Sequence, residues 1–302
     1  MLKLMNLLFL LNTIFFLFSC TEKNEIGSKS NPLKFYLIPA QDMKGLSENG
    51  EILQRYLSKE LNMNVVVDLP VSYVAVVEAF GSKRADVAII NTLGYILAAE
   101  KYQVEPRLKL VNRGRDEYFG QILIRSDSKI KNIKDLNGKK FAFVDPASTS
   151  GYLLPLRLLK NEKVKIKEYI FAGRHDSVVA AVYQKQVDAG ATFYTPPDEN
   201  GTEKDARMLL KTQYPDVFKK VKILQMTGSI PNDPLIFRKD LPEDLKIKIV
   251  KAVRKYIKTE EGAKVFLSTY HITDFKEAKD SDYDKVREYL KDIGENAKTF
   301  VK

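Results

Sequence analysis

Cysteine is almost missing from this chain: Cys20 is the single one in 302 residues, and there are only two histidines. One cysteine excludes an internal disulfide, and so few thiol and imidazole groups argue against a zinc site built by the protein. Arginine-rich blocks, low-complexity segments and internal repeats are absent as well. The chain carries 49 Lys and Arg against 39 Asp and Glu, a net charge of +10. With the cations spread along the sequence, most read as solvated helix faces rather than a nucleic-acid groove, and an anionic ligand or surface fits the basic balance. No Gly-x-Ser-x-Gly elbow marks a serine nucleophile. What remains is ordinary globular material, 44% hydrophobic and 29% charged, and the length suggests about two domains.

The first residues stand apart. Lys3 is the only charge before Glu22, and Leu4 to Phe18 is almost wholly apolar. A run of about 15 residues is short for a bilayer span, where about 20 are needed, but suits the apolar core of a secretory signal. It ends in Leu17-Phe18-Ser19-Cys20, a pattern that resembles the bacterial lipoprotein signal, in which the cysteine becomes the lipidated first residue. Phe18 departs from the small residue usual there. The expectation is a signal peptide over 1–19, then a polar tether over 20–31 linking a membrane lipid on Cys20 to the folded part.

From Leu33 the chain alternates strands and helices. Strands are expected at 33–38, 65–67 and 86–90, with helices from Glu51 to Leu61 and from Tyr73 to Phe80. The rhythm restarts with strands at 121–124, 141–144, 168–171 and 187–191 and helices at 152–160 and 176–184. Short strands at 222–225 and 235–237 precede a long helix from Leu245 to Lys258. This order argues an α/β fold with largely parallel sheets, repeated in two similar lobes.

The strongest local signal is Val144-Asp145-Pro146-Ala147-Ser148-Thr149-Ser150-Gly151-Tyr152. A strand ends, three hydroxyl residues follow, and a helix begins. The first N–H groups of a helix lack internal partners and sit at the positive end of its dipole, so hydroxyls beside them make an anion site without a metal. A single hydroxyl there would more simply be a helix cap. His175 falls at a second strand-to-helix junction, where ligands bind in open α/β sheets, and is expected to donate to an oxyanion and titrate near neutral pH.

These segments, in their order, resemble the periplasmic phosphonate-, phosphite- and phosphate-binding proteins of ABC importers. The resemblance runs over about residues 33–275. It is carried by Val71-Ser72-Tyr73, Lys83-Arg84-Ala85-Asp86-Val87-Ala88, Glu117-Tyr118, Asp127-Ser128, Ile133 to Lys139, Phe143 to Tyr152, Gly173-Arg174-His175-Asp176, Val187-Asp188-Ala189-Gly190 and Ile230 to Leu235. It implies a two-lobed periplasmic binding protein fold, two α/β domains joined by two crossing strands with the ligand cleft between. The first lobe would comprise 32–118 and 236–302, the second 119–235. Ser148, Thr149 and Ser150 would hold the oxygens on phosphorus, with Tyr73, Tyr118, His175 and Asp233 around them and Gln41, Asn91 and Tyr95 as further candidates. Members that take aminoalkylphosphonates carry a carboxylate soon after the segment matching Val187-Asp188. Here Thr192-Phe193-Tyr194-Thr195-Pro196-Pro197 has none before Asp198, which favours an oxyanion without an amine. The implied protein is a monomeric, non-enzymatic, lipid-anchored binding component that works with a membrane permease and needs no cofactor. A binder of another organic anion on the same fold, and an enzyme using His175 with a nearby serine, are the alternatives.

Overall fold

The computed structural model describes residues 25–38 and 43–294. Cys20 and Gln41 lie outside the described residues. The first sheet has six strands in the order β11-β4-β10-β3-β1-β2. They are β1 (Leu33–Leu37), β2 (Val65–Asp68), β3 (Val87–Ile89), β4 (Glu105–Val111), β10 (Pro234–Phe237) and β11 (Asp274–Glu277). β1 runs parallel to β2 and β3, whereas β10 runs antiparallel to β3 and β4. The second sheet has the order β7-β6-β8-β5-β9, with β5 (Glu117–Arg125), β6 (Lys140–Phe143), β7 (Glu168–Phe171), β8 (Ala189–Tyr194) and β9 (Val221–Pro231).

The sequence pattern explains most of these elements. In β1, Leu33, Phe35 and Leu37 are buried and alternate with half-buried residues, the period-two pattern of a strand. The helices are α1 (Met43–Leu61), α2 (Tyr73–Gly81), α3 (Thr92–Tyr102), α4 (Leu154–Asn161), α5 (His175–Tyr183), α6 (Val217–Lys220), α7 (Glu243–Tyr256), α8 (Glu260–Tyr270) and α9 (Asp284–Asp292). α2 opens on Ser72, whose hydroxyl accepts from Ala75 N at 3.1 Å, a side-chain cap for an orphan donor. α1, α7 and α8 enclose one apolar core against the first sheet, including Leu53, Leu57, Ile249, Val253 and Phe266.

Four elements escape the hydrophobic periodicity wholly or in part. Residues Thr92 to Ala98 of α3 are all buried, so the helix shows no polar face and no 3.6-residue alternation. β4 contains Pro106 and three charges, and β11 is a short polar edge strand. β9 runs far beyond the expected 222–225; its register shifts against β5, and the exposed Gln225 and Met226 in its middle mask the alternation.

The chain passes from the first sheet to the second between Val111 and Glu117 and returns between Pro231 and Pro234. The two crossings are tied together. Asn232 N donates to Asp116 O at 2.8 Å, and its side-chain amide reaches Leu110 O and Arg115 O. A second apolar cluster runs through both halves, joining Tyr73, Val77 and Leu93 to Ala147, Leu153 and Val178. The last helix does not keep to one lobe. Tyr283, just before α9, packs its ring on Tyr95 at 4.8 Å, while Asp292 pairs with Arg157 at 2.6 Å and Ile293 O accepts from Lys160.

Candidate functional site

The site forms where strand ends meet helix starts. After β6 the chain turns through Asp145, whose carboxylate accepts from Ala147 N at 2.8 Å. Ser148 Oγ then accepts from Gly151 N at 3.1 Å and caps the coming helix. The first turn is wide: Leu153 N donates to Ser148 O at 3.0 Å, an i→i+5 bond, before the backbone tightens into α4. Such wide turns cluster at functional sites. Gly151 is required because a Cβ there would lie 2.4 Å from a Val144 methyl.

Between the lobes lies a cavity of about 110 Å³, space for several waters or one small oxyanion. Ser148 and Ser150 face it from the second lobe, Tyr73 and Asn91 from the first, and Tyr118 and Asp233 from the two crossings. His175, at the first position of α5, completes the polar wall. No lysine or arginine lines it among the described residues.

Thr149 differs from its neighbours. It is not part of the cavity wall. Its hydroxyl accepts from Leu93 N at 2.8 Å and from Asn91 Nδ2 at 3.3 Å, both in the opposite lobe. Asn91 Nδ2 also donates to Ala147 O at 2.6 Å. The expectation that all three hydroxyls point at the ligand is therefore corrected for Thr149: it joins the N-terminal turn of α3 to the second lobe.

Protonation states follow from burial. His175 is buried, its Nδ1 accepts from Phe193 N at 3.3 Å, and its ring meets the Phe193 ring edge-on at 4.9 Å. Burial pulls its pKa down to about 4. The sequence expectation of a histidine titrating near neutrality does not hold; the ring is neutral and presents Nε2–H as a donor. Asp233 moves the other way, pushed up to about 7 by burial although Thr92 N donates to it. Its Oδ1 is buried without a partner. Burial likewise raises the Tyr73 and Tyr118 phenols. Both tyrosines are neutral donors.

The structure does not bring Tyr95 to this cavity. Its hydroxyl bonds Asp280 in a separate surface groove on the first lobe, beside Arg287. Asp198 is likewise apart, held by Thr202 N, Asn200 N and Lys204. Other lining residues were missed by sequence reasoning. Tyr270, whose hydroxyl donates to Ile38 O at 2.9 Å, and His271 enter from the end of α8. Burial and the Arg113 cation lower the His271 pKa. Nothing local marks either residue. Glu117, Phe193 and Asn232 sat inside or beside segments already noted, and only the lobe geometry shows that they face the cavity.

Comparison with known proteins agrees with this architecture. Residues 35–283 match the family model described as ABC transporter, phosphonate, periplasmic substrate-binding protein. The chain is 28% identical over 238 residues to the phosphonates-binding periplasmic protein of Escherichia coli, covering 76% of this chain and 67% of that one. It is 31% identical to a probable ABC transporter phosphite binding protein of Prochlorococcus marinus, over 54% of this chain and 59% of the relative. A phosphate-import protein of Mycolicibacterium smegmatis is 32% identical over 55% of this chain and 56% of its own length. Among solved structures, a binding protein component of a Pseudomonas aeruginosa phosphonate transporter superposes with a TM-score of 0.75 at 22% identity, covering 86% of each chain. The Prochlorococcus marinus PhnD1 protein in complex with methylphosphonate gives 0.73 at 20% identity, over 87% of this chain and 98% of that one. The chain belongs to the family of periplasmic substrate-binding proteins of phosphonate ABC transporters.

Proposed function

We propose that this protein captures a small phosphorus oxyanion, namely phosphate, phosphite or a simple alkylphosphonate, in the cavity between its lobes and hands it to a membrane permease. One observation carries the reading. Neutral donors surround a small cavity that holds a single deeply buried carboxyl group, Asp233, with an unpartnered oxygen. Tyr73, Tyr118, Ser148, Ser150 and the Nε2–H of His175 supply hydrogen bonds to oxyanion oxygens, and the helix starts add favourable dipoles. Beside Asp233 a fully ionised anion is repelled. A ligand that shares one proton with the carboxyl is held instead.

The end of β8 and the residue after it offer Phe193 and Thr195 to the cavity rather than a carboxylate, which fits a ligand without an amine. Within this reading the protein is a monomer that catalyses nothing. Export through the first 19 residues and lipidation at Cys20 keep it beside its permease. In this proposal residues 32–118 with 236–302 form one lobe and 119–235 the other, closing on the ligand by a hinge whose opening releases the bonds of Asp292 and Ile293 to Arg157 and Lys160.

A thermal-shift panel of phosphate, phosphite, methylphosphonate, aminoethylphosphonate and sulfate tests the assignment. The cognate ligand at 100 times its dissociation constant should stabilise the fold by about 2.7 kcal/mol, and the Ser148→Ala/Ser150→Ala variant should lose that shift. If aminoethylphosphonate stabilises as well as methylphosphonate and Glu117→Gln removes its effect, the amine-free reading fails.

A further inference from the structure

The cations that look evenly spread in the sequence are not evenly spread. Residues 129–167 hold ten Lys and Arg against three Asp and Glu, so a charge of +7 out of +10 sits in this stretch. Lys140 pairs with Glu168 and Arg157 with Asp292. Lys131, Lys134, Lys139, Lys163, Lys165 and Lys167 make no ion pair among the described residues, and all but Lys139 are exposed. The loops carrying them are stitched together. Lys167 N donates to Lys139 O at 3.0 Å, and Gly138 N donates to Lys165 O at 2.8 Å.

This basic collar borders β7, the edge strand of the second sheet. β7 is exposed along its whole length. Tyr169, Ile170 and Phe171 are 55%, 48% and 39% exposed, three consecutive members of the seven large apolar side chains that stand out in the described chain. Tyr169 and Phe171 share one face, their rings 5.6 Å apart, and Phe171 lies 5.1 Å from the Tyr152 ring. An open strand edge with an apolar face is a liability unless something covers it.

We propose that the β7 edge and its lysine collar form a docking surface for an anionic lipid bilayer. Charge decides between the possible occupants. Edge-to-edge pairing of two copies would bring two segments of +7 together, within the screening length of about 8 Å at physiological salt. An anionic bilayer attracts the same segment. Tyrosine favours the headgroup level, phenylalanine the acyl boundary beneath it, lysine stems lie along apolar surface with their ammonium groups at the phosphates, and each lysine near the surface is worth about fivefold in partition.

The test uses the full chain on vesicles of phosphatidylcholine alone and on vesicles with equal parts phosphatidylcholine and phosphatidylglycerol, reading amide hydrogen exchange of residues 163–171. This local readout is independent of how the N-terminal segment attaches. The expected result is slower exchange on the anionic vesicles only, reversed by high salt. Lys165→Gln/Lys167→Gln should reduce docking there about 25-fold, fivefold for each lysine. Equal exchange on both vesicle types overturns the proposal. Protection without vesicles that grows with protein concentration also overturns it, because the edge would then be covered by a second copy.

Discussion

Replacing Thr149 by valine removes one hydroxyl and keeps the side-chain shape. The hydroxyl accepts from Leu93 N at 2.8 Å across the lobe boundary, so its loss leaves a buried helix N-terminal N–H without that acceptor. Leaving a buried donor unsatisfied costs about 1–3 kcal/mol, a factor of about 5 to 150 in an equilibrium constant. The bond forms only when the lobes are together, so the cost falls on closure. Apparent affinity drops as the closed fraction drops. Titration calorimetry of Thr149→Val with phosphate, phosphite and methylphosphonate should show the same fold-loss for each ligand, because the lost bond joins the lobes and does not touch the ligand. Thr149→Ser, which keeps the hydroxyl, should restore most of the affinity. Fluorescence energy transfer between the lobes at saturating ligand should report more open molecules for the valine variant. Wild-type affinity in Thr149→Val, or a loss that differs strongly among the three ligands, would refute the reasoning.

Asp233→Asn should stabilise the unliganded fold at pH 8 by several kcal/mol. The folded pKa of Asp233 is raised to about 7, so wild-type stability is full below the unfolded carboxyl pKa and falls as pH rises toward 7; the difference between the two proteins should vanish near pH 4 in pH-resolved thermal melts. In binding, the wild type should lose affinity above pH 7 as the shared proton becomes scarce, whereas Asp233→Asn should favour the more ionised ligand. His175→Ala should weaken binding at every pH from 5 to 8 without changing the shape of the pH profile, because burial holds the histidine pKa at about 4; a profile that flattens in the variant would show that the imidazolium takes part. Gly151→Ala should destabilise the fold and weaken binding together, since its Cβ would meet Val144 at 2.4 Å; an alanine variant matching wild type in melts and titration would show that the loop relaxes freely.

The turn proposed to hold the anion was legible because its signal is local. A strand end, a hydroxyl run and a glycine before a helix stand side by side in the sequence, and Ser148 and Ser150 do line the cavity. The role of Thr149 was not legible, since it depends on Leu93 N arriving from the opposite lobe. The same holds for Tyr270 and His271, which come from a helix far along the chain with no local mark. β1 and β6 announced themselves by apolar runs, but α3 is buried on all sides and gives no periodicity. Burial also decided the chemistry of His175 and Asp233. Sequence supplies the residue type, while the depth at which the fold places it sets whether an imidazole is neutral or a carboxyl keeps its proton.

In the proposed function a phosphorus oxyanion sharing one proton with Asp233 binds between the lobes. Titration calorimetry with phosphite and with sulfate at matched ionic strength and neutral pH tests it most directly. Sulfate has similar size and shape but brings no proton of its own, so only the protonated fraction of Asp233 can hold it. The expected result is one phosphite bound per chain and markedly weaker binding of sulfate. Equal affinity for the two anions, or binding of neither by a protein that melts cooperatively, would contradict it.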